Sequence, residues 1–344
     1  MTTRAFVLGT RGSRLALAQS TAVAREIEEA GARLGEDVRV ELEVVRTHGD
    51  VSASPLAALG GVGVFAAQLR LALLGGECDL AVHSFKDLPT ASTPGLCVAA
   101  VPRREDPRDV LCAADCATLS SLPAGALVGT GSPRRAAQVL AVRPDLRVCD
   151  LRGNVPTRLS RVRGIDLGTD AGTAPSALGT GESLDAVVLA LAGLRRIGLD
   201  AHATDVLDPA IMMPAPSQGA LAIETRDEDD PLLRALLGVL NHRPTALAAS
   251  AERAVLSTLG AGCAAPVGAC ARVDEASSAL LLDARVMSVD GRERVEASGA
   301  LELTDAVCLE EAARLGEDVA RQLLARGAAE VTDLGATKTP RRPS

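Results

Sequence analysis

The sequence predicts two similar α/β domains facing each other across a cleft, with a smaller α+β domain after them. Three observations predict this. A strand–helix–strand–helix–strand alternation runs through residues 4–82. The alternation restarts beyond a charged segment at 102–109. From Asp230 the pattern changes to two helices, three alternating stretches and a last helix. Strands separated by helices imply a mostly parallel sheet covered by helices. A chain of 344 residues is long enough for two or three such domains.

The elements follow in order. Residues 4–8 are a short apolar strand, and Thr10-Arg11-Gly12-Ser13 turns into a helical pattern from Arg14 to about Ala32. Val38, Val40, Leu42 and Val44 alternate with polar residues at the period of a strand. Phe65–Leu74 has helical spacing, and Asp79–Val82 is the next strand. The charged run Pro102–Asp109 reads as a hinge or domain boundary. Leu127–Gly129 is a strand, and Ser132 and Pro133 suit the cap and first turn of a helix reaching about Val142. Leu146–Asp150 is a strand, Val155 to about Val162 a helix, and Leu184–Leu191 a buried strand. The Gly/Thr/Ser/Ala-rich stretch 164–183 reads as a mobile insertion. Beyond the stiff, turn-rich Met212–Ala220, Leu221–Glu224 is a strand returning to the first sheet. Pro231–Leu240 and Thr245–Leu259 are helices. Residues 267–273, 279–287 and 295–302 are antiparallel strands, and Asp305–Arg326 is the last helix. The domains are then 1–102 with 220–238, 103–219, and 239–336, followed by a polar tail at 337–344.

Composition narrows the function. Three phenylalanines and no tryptophan or tyrosine leave little for stacking on single-stranded nucleic acid. A net charge of −8 disfavours a general nucleic-acid or anionic-membrane binder. The first ten residues lack the apolar stretch of a signal peptide. The uncharged run 51–69 is broken by Pro55 and three glycines, so no membrane span is expected. Eight cysteines without paired spacing, and no histidine near Cys112 and Cys116, point away from zinc and towards a reducing cytoplasm.

Three clusters carry chemistry. Ala81–Pro89 ends an apolar strand in a polar turn that holds Lys86 beside Asp87, in a chain with only one other lysine, Lys338. Taken alone, this pair reads first as a surface ion pair at a strand end and only second as a reactive one. Between Gly131 and Arg163 stand eight arginines, opposed only by Asp145 and Asp150. Arg134 and Arg135 sit at a helix start, where a cation opposes the local dipole unless an anion lies nearby. Arginine pairs carboxylates through two hydrogen bonds, so a polycarboxylate or phosphate site is one reading. Arginines decorating helix faces is the other. Cys263 lies in the glycine-rich loop Gly260–Pro266 rather than in an apolar run. Gly9-Thr10-Arg11-Gly12-Ser13 and Gly129-Thr130-Gly131-Ser132 echo each other between a strand and a helix, where backbone N–H groups bind anions.

These motifs together resemble the porphobilinogen deaminase (hydroxymethylbilane synthase) family. The resemblance is carried by Gly9–Ala16, Ala81–Pro89, Arg104–Asp109, Gly129–Arg135, Leu151–Leu159, Gln218-Gly219-Ala220 and the Gly262-Cys263 loop. It implies three domains, the first two arranged like a periplasmic binding protein. It also implies a dipyrromethane cofactor joined by a thioether to Cys263. The implied reaction deaminates four porphobilinogen molecules, joins them head to tail on that primer and releases hydroxymethylbilane for haem and corrin synthesis. Asp87 would be the catalytic acid. Arg11, Ser13, Lys86, Ser132, Arg134, Arg135, Arg152, Arg158 and Arg196 would bind the cofactor and substrate carboxylates. Phe65 and Gln218 are candidates for lining the cleft. No metal is implied. A cytoplasmic monomer that passes its product to the next tetrapyrrole enzyme is expected. Two features depart from the family: Val62 stands where a basic residue is common, and the 164–183 insertion is long. Two other functions compete. A non-enzymatic anion receptor explains the arginines but leaves Asp87 and Cys263 without a purpose. A Schiff-base enzyme on Lys86 would be fixed by borohydride.

Overall fold

The computed structural model describes residues 3–45, 64–167, 183–227, 230–262 and 264–335, the side chains of Val64 and Phe65 excepted. The chain forms two compact units. One holds Met1–Glu105 and Ser217–Ala249, the other Asp106–Pro216 and Ser250–Ser344.

The first unit begins with β1 (Arg4–Thr10), α1 (Arg14–Leu34), β2 (Val38–Val44), α2 (Val64–Leu74), β3 (Leu80–Ser84) and β4 (Leu96–Ala100). Ser13 caps α1 by accepting a hydrogen bond from Ala16 N–H, and Gly35 closes it at φ +77°. The apolar face of α1 (Val23, Ala24, Ile27, Ala30) packs with Leu8, Leu80 and Val82 of the strands. Burying a side chain such as Ile27 contributes about 1.5–3 kcal/mol. The opposite face of the sheet, through Ala81 and Leu96, packs with Leu69, Ala72 and Leu73 of α2. The alternating β2 is an edge strand, so Leu42 and Val44 stay exposed.

The second unit adds β5 (Asp109–Ala113), β6 (Leu127–Gly129), α3 (Pro133–Val142), β7 (Arg147–Cys149), α4 (Val155–Leu159), β8 (Ala186–Ala190), α5 (Leu191–Arg196) and β9 (Asp205–Val206). The chain then returns to the first unit as β10 (Leu221–Arg226) and α6 (Pro231–Leu240). Two corrections to the sequence reading follow. Leu191 opens a helix instead of ending a strand. β4, β5 and β9 also form strands where none was expected, and each mostly parallel sheet carries one strand antiparallel to the rest, β10 in the first and β5 in the second.

The echo between the two glycine turns extends to topology. The first sheet has the order β2-β1-β3-β10-β4, and the second β7-β6-β8-β5-β9. In each, the strand before the glycine turn pairs in parallel with both neighbours. In each, the fourth strand is antiparallel to both of its neighbours. The return of β10 to the first sheet is as expected from Leu221–Glu224, though the strand runs on to Arg226.

After α7 (Arg243–Leu259), an antiparallel meander forms from β11 (Val267–Asp274), β12 (Ala279–Met287) and β13 (Arg294–Glu302), packed by α8 (Leu309–Ala325). The last helix starts later than Asp305, since Glu311 accepts from Cys308 N–H and fixes the N-terminus there. This third sheet falls in the second compact unit. Arg285 of β12 donates to Gln138 Oε1 of α3 at 3.0 Å and to the Ala210 carbonyl at 2.9 Å. Gly291, at φ +74°, lies so close to α3 that a Cβ there would stand 2.3 Å from the Ala137 carbonyl oxygen.

Candidate functional site

In the first unit, β3 delivers the motif. Its end is tied to α1, where Gln19 Nε2 donates to Ser84 Oγ at 3.0 Å. The chain then makes a single 3-10 turn, Phe85–Asp87. Phe85 and Leu88 are 6% and 4% exposed and anchor the turn in a core with Ala220, Ala222 and Ala246. Phe85 N–H donates to the Ala220 carbonyl at 3.0 Å. Between the two anchors, Lys86 is half-buried and Asp87 is exposed. The turn is therefore held by apolar neighbours while its carboxylate faces solvent.

Lys86 Nζ donates to Gln218 Oε1 at 3.3 Å, and Arg104 Nε donates to the Gln218 carbonyl at 2.7 Å. Gln218 sits between Ser217, at φ +62°, and Gly219, at φ +88°. Its side chain is fully buried and supports Lys86. Arg11 is half-buried in the turn after β1, and Ser13 Oγ accepts from Ala16 N–H as the α1 cap.

In the second unit, Ser132 caps α3 as Ser13 caps α1, accepting from Arg135 N–H at 3.5 Å. The preceding turn has no room for a side chain, because a Cβ on Gly131 would lie 2.6 Å from the Leu151 carbonyl oxygen. Gly131→Ala is expected to destabilise this unit by about 1–3 kcal/mol through overpacking, read as a lower denaturant midpoint. An unchanged midpoint would show that the Leu151 turn gives way freely.

Arg134 and Arg135 differ from the picture of open arginine forks. Both are buried, against a fully buried Asp109 at the start of β5. Arg134 Nη2 lies 2.8 Å from Asp109 Oδ2, and Arg135 Nη2 lies 2.7 Å from Oδ1. Arg134 also donates to the Met213 carbonyl, and Arg135 Nη1 to the Val188 carbonyl at 3.1 Å. Burial weakens Arg134's hold on its proton, and Asp109 works against that. The anion that a cation at this helix start requires is thus supplied, at least in part, from inside the fold.

Arg152 is exposed in the turn after β7, with its Nε 3.1 Å from Asp150 Oδ2. Arg158 Nε donates to the Gly153 carbonyl at 2.7 Å, and Asn154 caps α4 by accepting from Thr157 N–H. Arg196 ends α5, half-buried. Its neighbour Arg195 brings Nη1 to 3.7 Å from Asp106 Oδ2, and hydrogen bonds from Arg108 hold that carboxyl below its ordinary range. The expected site residues thus divide. Arg11, Ser13, Lys86 and Asp87 belong to the first unit, and Ser132, Arg134, Arg135, Arg152, Arg158 and Arg196 to the second. Cys263, Val62, the Phe65 side chain, most of the 164–183 insertion and the 337–344 tail lie outside the described residues.

Sequence reasoning missed Asp109, Gln19 and Glu224. Asp109 ends the charged run and had drawn no role. Gln19 is a polar residue on the buried face of α1, a break in helical periodicity that could have marked it. Glu224, 2% exposed, is a charge inside an apolar strand pattern. Among the described residues, no cluster of three or more His, Cys, Asp and Glu side chains could hold a metal. No described helix is long and apolar enough to cross a membrane.

Two family models match the chain: "Porphobilinogen deaminase, dipyromethane cofactor binding domain" over residues 6–234, and "Porphobilinogen deaminase, C-terminal domain" over residues 246–325. A porphobilinogen deaminase of Cutibacterium acnes is 51% identical over 98% of this chain and 99% of its own. One from Leifsonia xyli is 52% identical over 96% of this chain and 95% of its own, and one from Thermus thermophilus 44% over 95% and 98%. Among solved structures, a YaeC-family lipoprotein of Enterococcus faecalis aligns at 13% identity and a TM-score of 0.36, covering 72% of this chain and 94% of its own.

Proposed function

The chain belongs to the porphobilinogen deaminase family, and from that premise we propose which of its residues bind and which one does the chemistry. The protein is a transferase of tetrapyrrole synthesis. It deaminates four porphobilinogen molecules and joins them head to tail on a covalent dipyrromethane primer, releasing hydroxymethylbilane. When bound, the dipyrromethane supplies the free pyrrole carbon from which the chain grows.

Cys263 is the attachment residue in this proposal. The donor set fits such a group. A dipyrromethane carries acetate and propionate arms, and Arg11, Ser13, Lys86, Ser132, Arg134, Arg135, Arg152, Arg158 and Arg196 offer guanidinium, ammonium and hydroxyl donors to carboxylates. Exposed Arg152, paired only loosely with an exposed Asp150, can exchange that partner for a ligand carboxylate at little cost. Arg134 and Arg135 enter differently. Their side chains are positioned by Asp109, and they add positive potential to the Ser132 turn.

Asp87 is the catalytic residue. Loss of ammonia from porphobilinogen leaves positive charge on the pyrrole. A carboxylate beside it accepts the pyrrole N–H, stabilises that charge and moves a proton. The observation that carries this assignment is the turn itself. Asp87 is exposed between two buried anchors, with Lys86 beside it held by Gln218. Lys86 holds a substrate carboxylate and leaves the pyrrole nitrogen to Asp87.

Intact mass tests the attachment. Purified active protein is expected to exceed its sequence mass by one dipyrromethane, and Cys263→Ala to remove both the excess and the activity. Active protein at the bare mass would overturn the assignment. With tyrosine and tryptophan absent, the bound group should also dominate absorbance beyond the phenylalanine region. The same proposal includes a cytoplasmic monomer, three domains with Cys263 in the last, and transfer of the product to the next tetrapyrrole enzyme.

A further inference from the structure

Behind the catalytic turn lies a charged cluster that the proposed chemistry does not use. Glu224 of β10 is buried on the face of the sheet that packs against α2. Arg70 of α2 reaches it with Nη2 at 2.8 Å from Oε1 and Nε at 3.1 Å from both oxygens. His83 of β3 brings Nε2 to 3.3 Å from Oε2. Burial alone would raise the Glu224 pKa, but the Arg70 hydrogen bonds and the neighbouring His83 ring outweigh it and hold the carboxyl below its ordinary range.

We propose that Arg70, Glu224 and His83 are positioning residues for the reaction, fixing the register of β10 against β3 and through it the geometry of Lys86 and Asp87. The proposal rests on the assignment of Asp87 as the catalytic residue.

The strand register carries it. Ala222 pairs with His83 and Glu224 with Ala81, so His83 and Glu224 are diagonal neighbours on one face. A slip of one residue would turn Glu224 to the opposite face, among Leu80, Val82 and Leu233. An unpaired carboxylate there is strongly disfavoured, so the cluster selects one register. That register has direct consequences at the turn. It sets Ala220, whose carbonyl accepts from Phe85 N–H, and Gln218, whose Oε1 accepts from Lys86 Nζ. His83 itself stands three residues before Lys86 on the same chain. β10 needs such a device because it arrives from a distant part of the sequence, lies antiparallel between β3 and β4, and shifts register against β4 at Ile223/Glu224. A buried ion cluster is poor evidence for stability, since apolar residues of similar volume often stabilise as well or better. Its directionality is what an apolar replacement lacks.

The test measures kcat per cofactor-loaded molecule, with loading from intact mass, together with KM for porphobilinogen. His83→Leu leaves the Arg70–Glu224 pair in place and is expected to fold and load. Its kcat should fall roughly 10- to 100-fold, the range a misplacement of about 1 Å produces, with KM within about threefold. His83→Gln, which keeps a donor, should recover most of the loss. The triple variant Arg70→Met/His83→Leu/Glu224→Met removes the charges together and should show the same fall in kcat. Wild-type kcat per loaded molecule in either His83→Leu or the triple variant would overturn the proposal. So would a change confined to loading or melting temperature. The premise fails separately: full turnover by Asp87→Asn would remove Asp87 from the chemistry, whatever the cluster variants do.

Discussion

Asp87→Asn is expected to fold, to carry its covalent dipyrromethane when loaded, and to lose about 10²- to 10⁴-fold in kcat, the range that a positioned acid or base contributes. The substitution keeps the volume of the side chain and one hydrogen-bond acceptor, and removes the charge and the transferable proton. The fold should not register it. Asp87 is exposed, and the turn is held by Phe85, Leu88 and the Phe85–Ala220 backbone hydrogen bond. Because Lys86 and the arginines are untouched, KM should move far less than kcat, the signature of an interaction made mainly in the transition state. An anion receptor built on the same fold predicts the opposite, since removing a carboxylate beside bound anions should tighten binding. Steady-state kinetics with intact mass decide, and turnover within tenfold of wild type would overturn the assignment.

The second large effect concerns stability. Asp109→Asn is expected to destabilise the second unit by about 3–5 kcal/mol, as breaking a buried ion pair from one side does. Two guanidinium groups converge on this carboxylate, at 2.8 and 2.7 Å. Asparagine matches its shape but leaves both cations facing a neutral amide in a buried setting. Urea denaturation with a probe in the second unit measures it, and a change under about 1 kcal/mol, the scale of an exposed ion pair, would show that the cluster is far better solvated than its burial implies. By comparison, Arg152 pairs with Asp150 at the surface, and Asp150→Asn should change stability by about 0–1 kcal/mol.

Much of the fold was legible because its signals are local. Ser132 caps its helix as its place before Pro133 predicts, and Ser13 caps α1 in the same way although the sequence had marked it only for carboxylate binding. The echo of the two glycine turns suggested two similar α/β domains, and the two five-stranded sheets share one order and sense, which the echo did not specify. Pro231–Leu240 was read at its observed ends because Asp230, a proline and an apolar stripe coincide. The strands β4 and β5 were missed for an equally local reason. Leu96–Ala100 and Asp109–Ala113 are short and lack the period-two alternation, because β5 is buried along its whole length and β4 is an edge strand whose apolar Cys97 and Val98 are both exposed.

The candidate site shows the same division. The sequence by itself determined which residue types are present: one lysine beside an aspartate, arginines at two turns, and a cysteine in a glycine loop. Only the tertiary structure decided their situations. Arg134 and Arg152 look alike as letters in one basic window. One is buried on Asp109, twenty-five positions earlier in the chain, and the other is exposed beside Asp150. Gln218 supports Lys86 because β10 pairs with β3, and Glu224 meets Arg70 for the same reason. Turn chemistry and periodicity act over a few residues, so they can be read along the chain. Burial and charge pairing depend on which distant strands become neighbours and in which register, and that is settled only when the sheet closes.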